Sequence, residues 1–176
     1  SLRESSAVNQ RAGVSARFAI AGAETIAAAA LHRASIRGED DAVARLVDVE
    51  SAVEVLGGKI EFESGEEGRE WDILEYTLRT STAEALRATL RTLDFNPLIA
   101  ALDGSVTIST GANVSAKDFL AGLPDLGETT LYDDIADAFG ATSEGSRANA
   151  IELALEGLFL SRKIAKDSDE GTSIYG

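Results

Sequence analysis

Residues 143–166, SEGSRANAIELALEGLFLSRKIAK, decide the fold class. Ser143 can accept hydrogen bonds from the free amides of a first helical turn, and Glu144 suits the positive end of the helix dipole. Ile151, Leu155 and Leu158, with Phe159 beside them, recur at the spacing that turns one helix face inward. Arg162, Lys163 and Lys166 then oppose the negative end of the dipole. The pattern predicts a long helix ending among these cations, with Asp167 to Gly176 as a mobile tail.

The same texture extends outward. Alanine occurs 29 times and leucine 19 against two prolines, Pro97 and Pro124, so the summed local preference is helical. The predicted fold is mainly α, a helical bundle with room for one small β hairpin. Leu131, Ile135 and Phe139 mark a helix that stops at Gly140, and Ser115 with Asp118 caps another that ends near Gly122 to Pro124. Val106 and Ile108 alternate with polar residues before Gly111, which fits a short strand or hairpin arm as well as a loop. Asn96 before Pro97 reads as a cap with a first-turn proline, giving a short helix to Leu102 that Gly104 terminates. Trp71, Leu74 and Leu78 predict a helix, and Ser81 with Glu84 matches a capping box for another through Leu86, Leu90 and Leu93. These two helices can be continuous.

Further upstream, Ile60 and Phe62 alternate with Glu61 and Glu63, and residues 64–68 are acidic and rich in glycine. The change of texture predicts the main boundary there, dividing the chain into 1–60 and 61–176. Before it, Asp48 caps a helix carrying Val49, Ala52, Val53 and Leu56, with Gly57 and Gly58 as the stop. Residues 40–47 are expected to add a turn. Ser15 is expected to cap the first helix, which runs through Phe18, Glu24, Ile26 and Leu31 to about Ser35 and ends at Gly38.

Thirty acidic against 16 basic residues give a net charge of −14, which disfavours nucleic acid and anionic membrane as partners. Cysteine and methionine are absent and His32 is the one histidine, which excludes disulfides, Cys/His zinc sites and thiol chemistry. Ser1 stands where an initiator methionine would, and the chain is expected to be a piece of a longer protein. No apolar run is long enough for a membrane span or a signal peptide.

Most motif candidates fail on chemistry. Gly57-Gly58-Lys59 lacks the first glycine and the closing hydroxyl of a phosphate loop, since Val53 and Ile60 hold those positions. In Asp167 to Gly171 the glycine falls one position early for a calcium loop. The acidic groups Glu63, Glu66, Glu67 and Asp133, Asp134, Asp137 read as solvated faces, and His32 reads as structural. No catalytic residue and no metal ligand is predicted. One segment stands apart, Gln10-Arg11-Ala12-Gly13-Val14-Ser15-Ala16-Arg17. A cation at the positive end of a helix dipole costs about 0.3–1 kcal/mol, so Arg17 is either simply solvated or placed to meet an anion. A phosphate held by the first-turn amides and a guanidinium would be such an anion.

The stretch GVSARFAIAGAE, residues 13–24, resembles the sensor-2 helix of AAA+ ATPases of the magnesium chelatase (subunit I-like) and MoxR group, with Arg17 at the arginine position. Val47-Asp48-Val49, Ala52, Val55-Leu56 and Lys59-Ile60 resemble that family's last lid helix and the basic residue after it. Phe62 to Arg69, Val114 to Asp118 and Ile174-Tyr175-Gly176 are similar to the C-terminal part of bacterial proteins named as magnesium chelatases. The resemblance implies that 1–60 is a partial AAA+ lid and 61–176 a helical C-terminal extension. It implies that Arg17, and more weakly Arg11, contact ATP bound with Mg2+ by an upstream core. It implies also a cytoplasmic homo-oligomeric ring built through that core, partnered by von Willebrand factor A domain proteins or chelatase subunits. The chain itself lacks a phosphate loop and is expected not to hydrolyse ATP, whereas the intact protein is expected to do so. A cut before the first lid helices would uncover apolar surface, so self-association, or packing of the first helix on the extension, is expected. The competing expectation is a helical protein-interaction module with an acidic surface, in which Arg17 is incidental.

Overall fold

The computed structural model describes residues 16–57, 68–169 and 171–176. Among them lie seven helices and three strands: α1 (Ala16–Arg37), α2 (Leu46–Gly57), α3 (Glu70–Leu90), α4 (Asn96–Asp103), β1 (Ile108–Gly111), α5 (Ala116–Ala121), α6 (Leu131–Ala138), α7 (Glu144–Leu160), β2 (Lys166–Asp169) and β3 (Thr172–Tyr175). The molecule is mainly helical, with one small antiparallel sheet. Ser115 caps α5 through the Asp118 amide, and Ser143 caps α7 in a capping box completed by Ser146. Gly38 and Gly140 take φ of 66° and 63° just past helix ends, a conformation that costs glycine little. Among the described residues, no helix is long and apolar enough to cross a membrane.

The main core forms around α7. Its Ala148, Ala154 and Leu155 have no solvent exposure, and Ile151 has 1%. Leu86 and Leu90 of α3, Leu98 of α4, Phe119 of α5 and Ile135 of α6 close over it. Neighbours cover α7 on several sides, so its buried residues are not confined to one stripe and include Glu152 and Glu156. Gly157 faces α3, where a Cβ would meet the Leu86 side chain at 3.5 Å, an ordinary packing distance. At the other end of the chain α1 packs on α2, with Gly22 facing Leu56.

The sheet has strand order β1-β3-β2. Tyr175 lies opposite both Ile108 and Lys166, so the C-terminal strand is the central one. This corrects the expectation of a mobile tail from Asp167 to Gly176: β3 hydrogen-bonds on both edges, and Tyr175 is fully buried in the core. Lys166 likewise belongs to β2 rather than to the end of the last helix, which closes at Leu160. Two smaller corrections concern caps. Phe95 holds the cap position of α4, while Asp94 accepts the Asn96 amide at 3.0 Å. Residues 42–45 form no turn and run irregularly into α2, which opens two residues before Asp48. Trp71 to Leu90 belong to one continuous helix, so Ser81 and Glu84 lie within it and start no second helix. The expectations for Arg11, Ser15, Gly58-Lys59, the Ile60/Phe62 alternation and Glu63, Glu66 and Glu67 lie outside the described residues.

Candidate functional site

Arg17 stands on the first turn of α1 and is exposed. That turn contains no acidic residue, so no carboxylate of the helix offsets the dipole or neutralises the guanidinium there. The first described turn of α1 therefore carries one exposed cation and no carboxylate, a chemistry that suits an anion such as a phosphate oxygen. Arg11, its proposed companion, lies outside the described residues. His32 is exposed on α1. Asp133 pairs with Arg147 at 2.5 Å and Asp134 accepts the Thr130 hydroxyl at 2.8 Å, so two of the three acids of α6 serve local contacts.

The far end of α1 is held by a buried ionic network. Arg33 is 5% exposed. It donates from Nε and Nη2 to the Asp48 carboxylate at 3.1 and 3.0 Å, from Nη1 to Glu39 at 2.6 Å and from Nη2 to the Val43 carbonyl at 2.7 Å. Burial opposes its charge, but Asp48 and Glu39 outweigh that and raise its pKa above the ordinary guanidinium value. Asp48 also accepts the Arg45 amide at 2.8 Å, the acidic half of a capping box at the start of α2. Glu39 reaches onward and accepts the Ala116 amide of α5 at 2.7 Å.

Arg45 continues the network into the core, and its side chain has no exposure. It makes a two-pronged pair with Glu152 of α7, with Nε to Oε2 at 2.9 Å and Nη2 close on Oε1. Its remaining donors meet the Val114 carbonyl at 2.7 Å and Thr110 Oγ1 at 3.1 Å, and its face lies over the Phe119 ring at 5.9 Å. The Thr110 hydroxyl donates to Glu152 Oε1. Burial pushes the Glu152 carboxyl above the usual range while Arg45 pulls against it. A second buried carboxylate one turn on, Glu156, accepts from the Tyr175 hydroxyl at 2.7 Å and from Lys166 at 3.0 Å. A cavity of about 140 Å³ beside these groups is lined by Thr110, Glu152, Lys166 and Tyr175.

Chemically this network grips rather than reacts. Among the described residues, every buried side-chain nitrogen and oxygen has a partner, and no cluster of His, Cys, Asp and Glu is spaced to hold a metal. It ties α1, α2, α5, α7 and β1 together through charge-assisted bonds, across the position where the sequence texture changes. The sequence marked Asp48 as a helix cap and Lys166 as a cation at a helix end, and none of the network's residues for a buried ionic role. The available signal was in α7: Glu152 and Glu156, one turn apart, are the only charges between Ala148 and Leu160, and Ala148, Leu153, Leu155, Phe159 and Leu160 stand three or four positions from one or the other, so burial with a partner is to be expected for both. Comparison of the chain with protein-family models, with curated proteins and with solved structures finds no match.

Proposed function

We propose that this chain is the C-terminal lid and extension of a magnesium-chelatase-like AAA+ ATPase, coupling ATP binding and hydrolysis to rearrangement of a ring and its partners. The observation that carries the reading is Arg17, exposed on an acid-free first turn within the stretch that resembles the sensor-2 helix. Arg17 fits the triphosphate chemically, since a guanidinium favours an anion and no carboxylate of its turn competes for it. Hydrolysis of ATP, bound with Mg2+ in the upstream core, supplies the driving free energy. The part of this chain is to meet the terminal phosphate with Arg17 and to pass the resulting tilt of α1, through Arg33 and Arg45, into the extension. Arg11 is a second donor to the same anion. The reading places the intact protein in the cytoplasm, as a homo-oligomeric ring working with a von Willebrand factor A domain protein or a chelatase subunit.

The test is Arg17→Ala in the intact protein. Loss of one such contact lowers ATP turnover about a hundredfold, and Arg17→Lys retains part of it. Unchanged hydrolysis and unchanged ATP-dependent ring behaviour in Arg17→Ala would refute the assignment. A second reading, a helical interaction module, is favoured by Trp71 and Tyr76 on α3, which stand 51% and 71% exposed. It expects the same partner to be retained by wild-type and Arg17→Ala chains alike, and lost with Trp71→Ala.

A further inference from the structure

On a chain of net charge −14, cations that meet no carboxylate mark where an anion can be received, most of all where they cluster. Among the described residues Arg33, Arg45, Arg147 and Lys166 pair with carboxylates, and Arg37 donates to Ala112 and Asn113. Arg87, Arg91 and Lys163 have no such partner among the described residues, are exposed, and stand together at one cleft between α3 and α7. Arg87 and Arg91 are one helical turn apart, about 6 Å between their Cβ atoms. Lys163 arrives from α7 through a tight closure. Its amide bonds back to the Leu158 carbonyl at 2.9 Å, and Arg162, at φ 58°, occupies the left-handed position that glycine usually takes.

The cleft has an apolar floor of Leu86, Leu90, Phe95 and Leu158, and no acidic residue lines it. Its volume of about 170 Å³ is well below the roughly 300 Å³ at which drug-sized ligand sites begin, so it suits a single aliphatic or aromatic side chain. The floor offers no exposed ring on which a base could stack.

We infer that this cleft docks an acidic, leucine-bearing segment of a partner protein, with the leucine in the cavity and flanking carboxylates on Arg87, Arg91 and Lys163. The inference does not depend on the ATPase reading. Fluorescence anisotropy tests it, using the 176-residue protein and a fluorescein-labelled peptide of about 12 residues with leucines spaced i, i+4 among glutamates. The peptide binds the wild-type chain, and binding weakens with added salt. Affinity falls about tenfold in Arg87→Glu/Arg91→Glu and also falls in Ala83→Trp, which fills the mouth without changing charge. Lys117→Glu, which alters an unpaired cation elsewhere, leaves binding unchanged. Several results would overturn the proposal. These are no binding at about 100 µM protein, affinity indifferent to the Arg87/Arg91 reversal, equal binding of a peptide with serine in place of leucine, or displacement of the peptide by an oligothymidine. No readout involves ATP, so failure here leaves the role of Arg17 standing.

Discussion

Arg45 is a charge with no access to water, tolerated because each of its donors finds an oxygen. Removing one partner of such a pair strands the other, which typically costs about 3–5 kcal/mol, whereas replacing both with apolar groups is often near neutral. Arg45→Met and Glu152→Leu are each expected to lose about that much in urea denaturation, and the double variant to recover at least half of the summed loss. Additive losses would mean that the two side chains are not coupled. Tyr132 gives a pH prediction. Burial, helped by Asp125, pushes its phenol from 10.0 up to about 12. The folded state thus holds the proton more tightly, and its contribution is complete below pH 10 and fades as pH rises toward 12. Tyr132→Phe should flatten the stability profile in that window, followed by chemical denaturation. Pairings such as Arg45 with Glu152, 107 positions apart, were not legible because neither residue has local context that names its partner.

The helices were legible wherever a local signal sufficed. Ser115 and Ser143 cap as their hydroxyls suggest, and Gly38 and Gly140 stop as left-handed residues should. The sheet was largely illegible, since Lys166-Asp167-Ser168-Asp169 has no apolar alternation and becomes a strand only by pairing with β3. The binding role assigned to Arg17 rested on resemblance rather than spacing, and the buried network beyond it had no motif. The sheet nevertheless has one strict steric requirement. Gly111 takes φ 132°, and a Cβ on it would stand 2.2 Å from the Gly171 carbonyl oxygen. Gly111→Ala should therefore cost more than about 2 kcal/mol by thermal or urea melting. A loss of only a few tenths would mean that the two backbones can separate freely. Tyr175→Ala is expected to cost about 3–5 kcal/mol, because it empties a core position and removes the hydroxyl that Glu156 accepts.

At the scale of the whole molecule, apolar surface is unevenly covered. Ile20 and Leu31 lie three turns apart on the same side of α1 and are 57% and 63% exposed. The isolated chain is expected to self-associate through that face, giving a mass above 18.4 kDa in size-exclusion chromatography with light scattering. Leu31→Glu should return it to monomer, and a wild-type monomer at about 100 µM would refute the expectation. The buried clamp at Arg33 has a mechanical corollary. Arg17 sits 16 residues away along α1, about 24 Å at helical rise, so rotating the rod by about 5° at the clamp swings its tip by about 2 Å. A sweep of that size would exceed the tolerance of a hydrogen bond, so on the proposed reading small adjustments among the buried ions would be amplified at the outer end of α1.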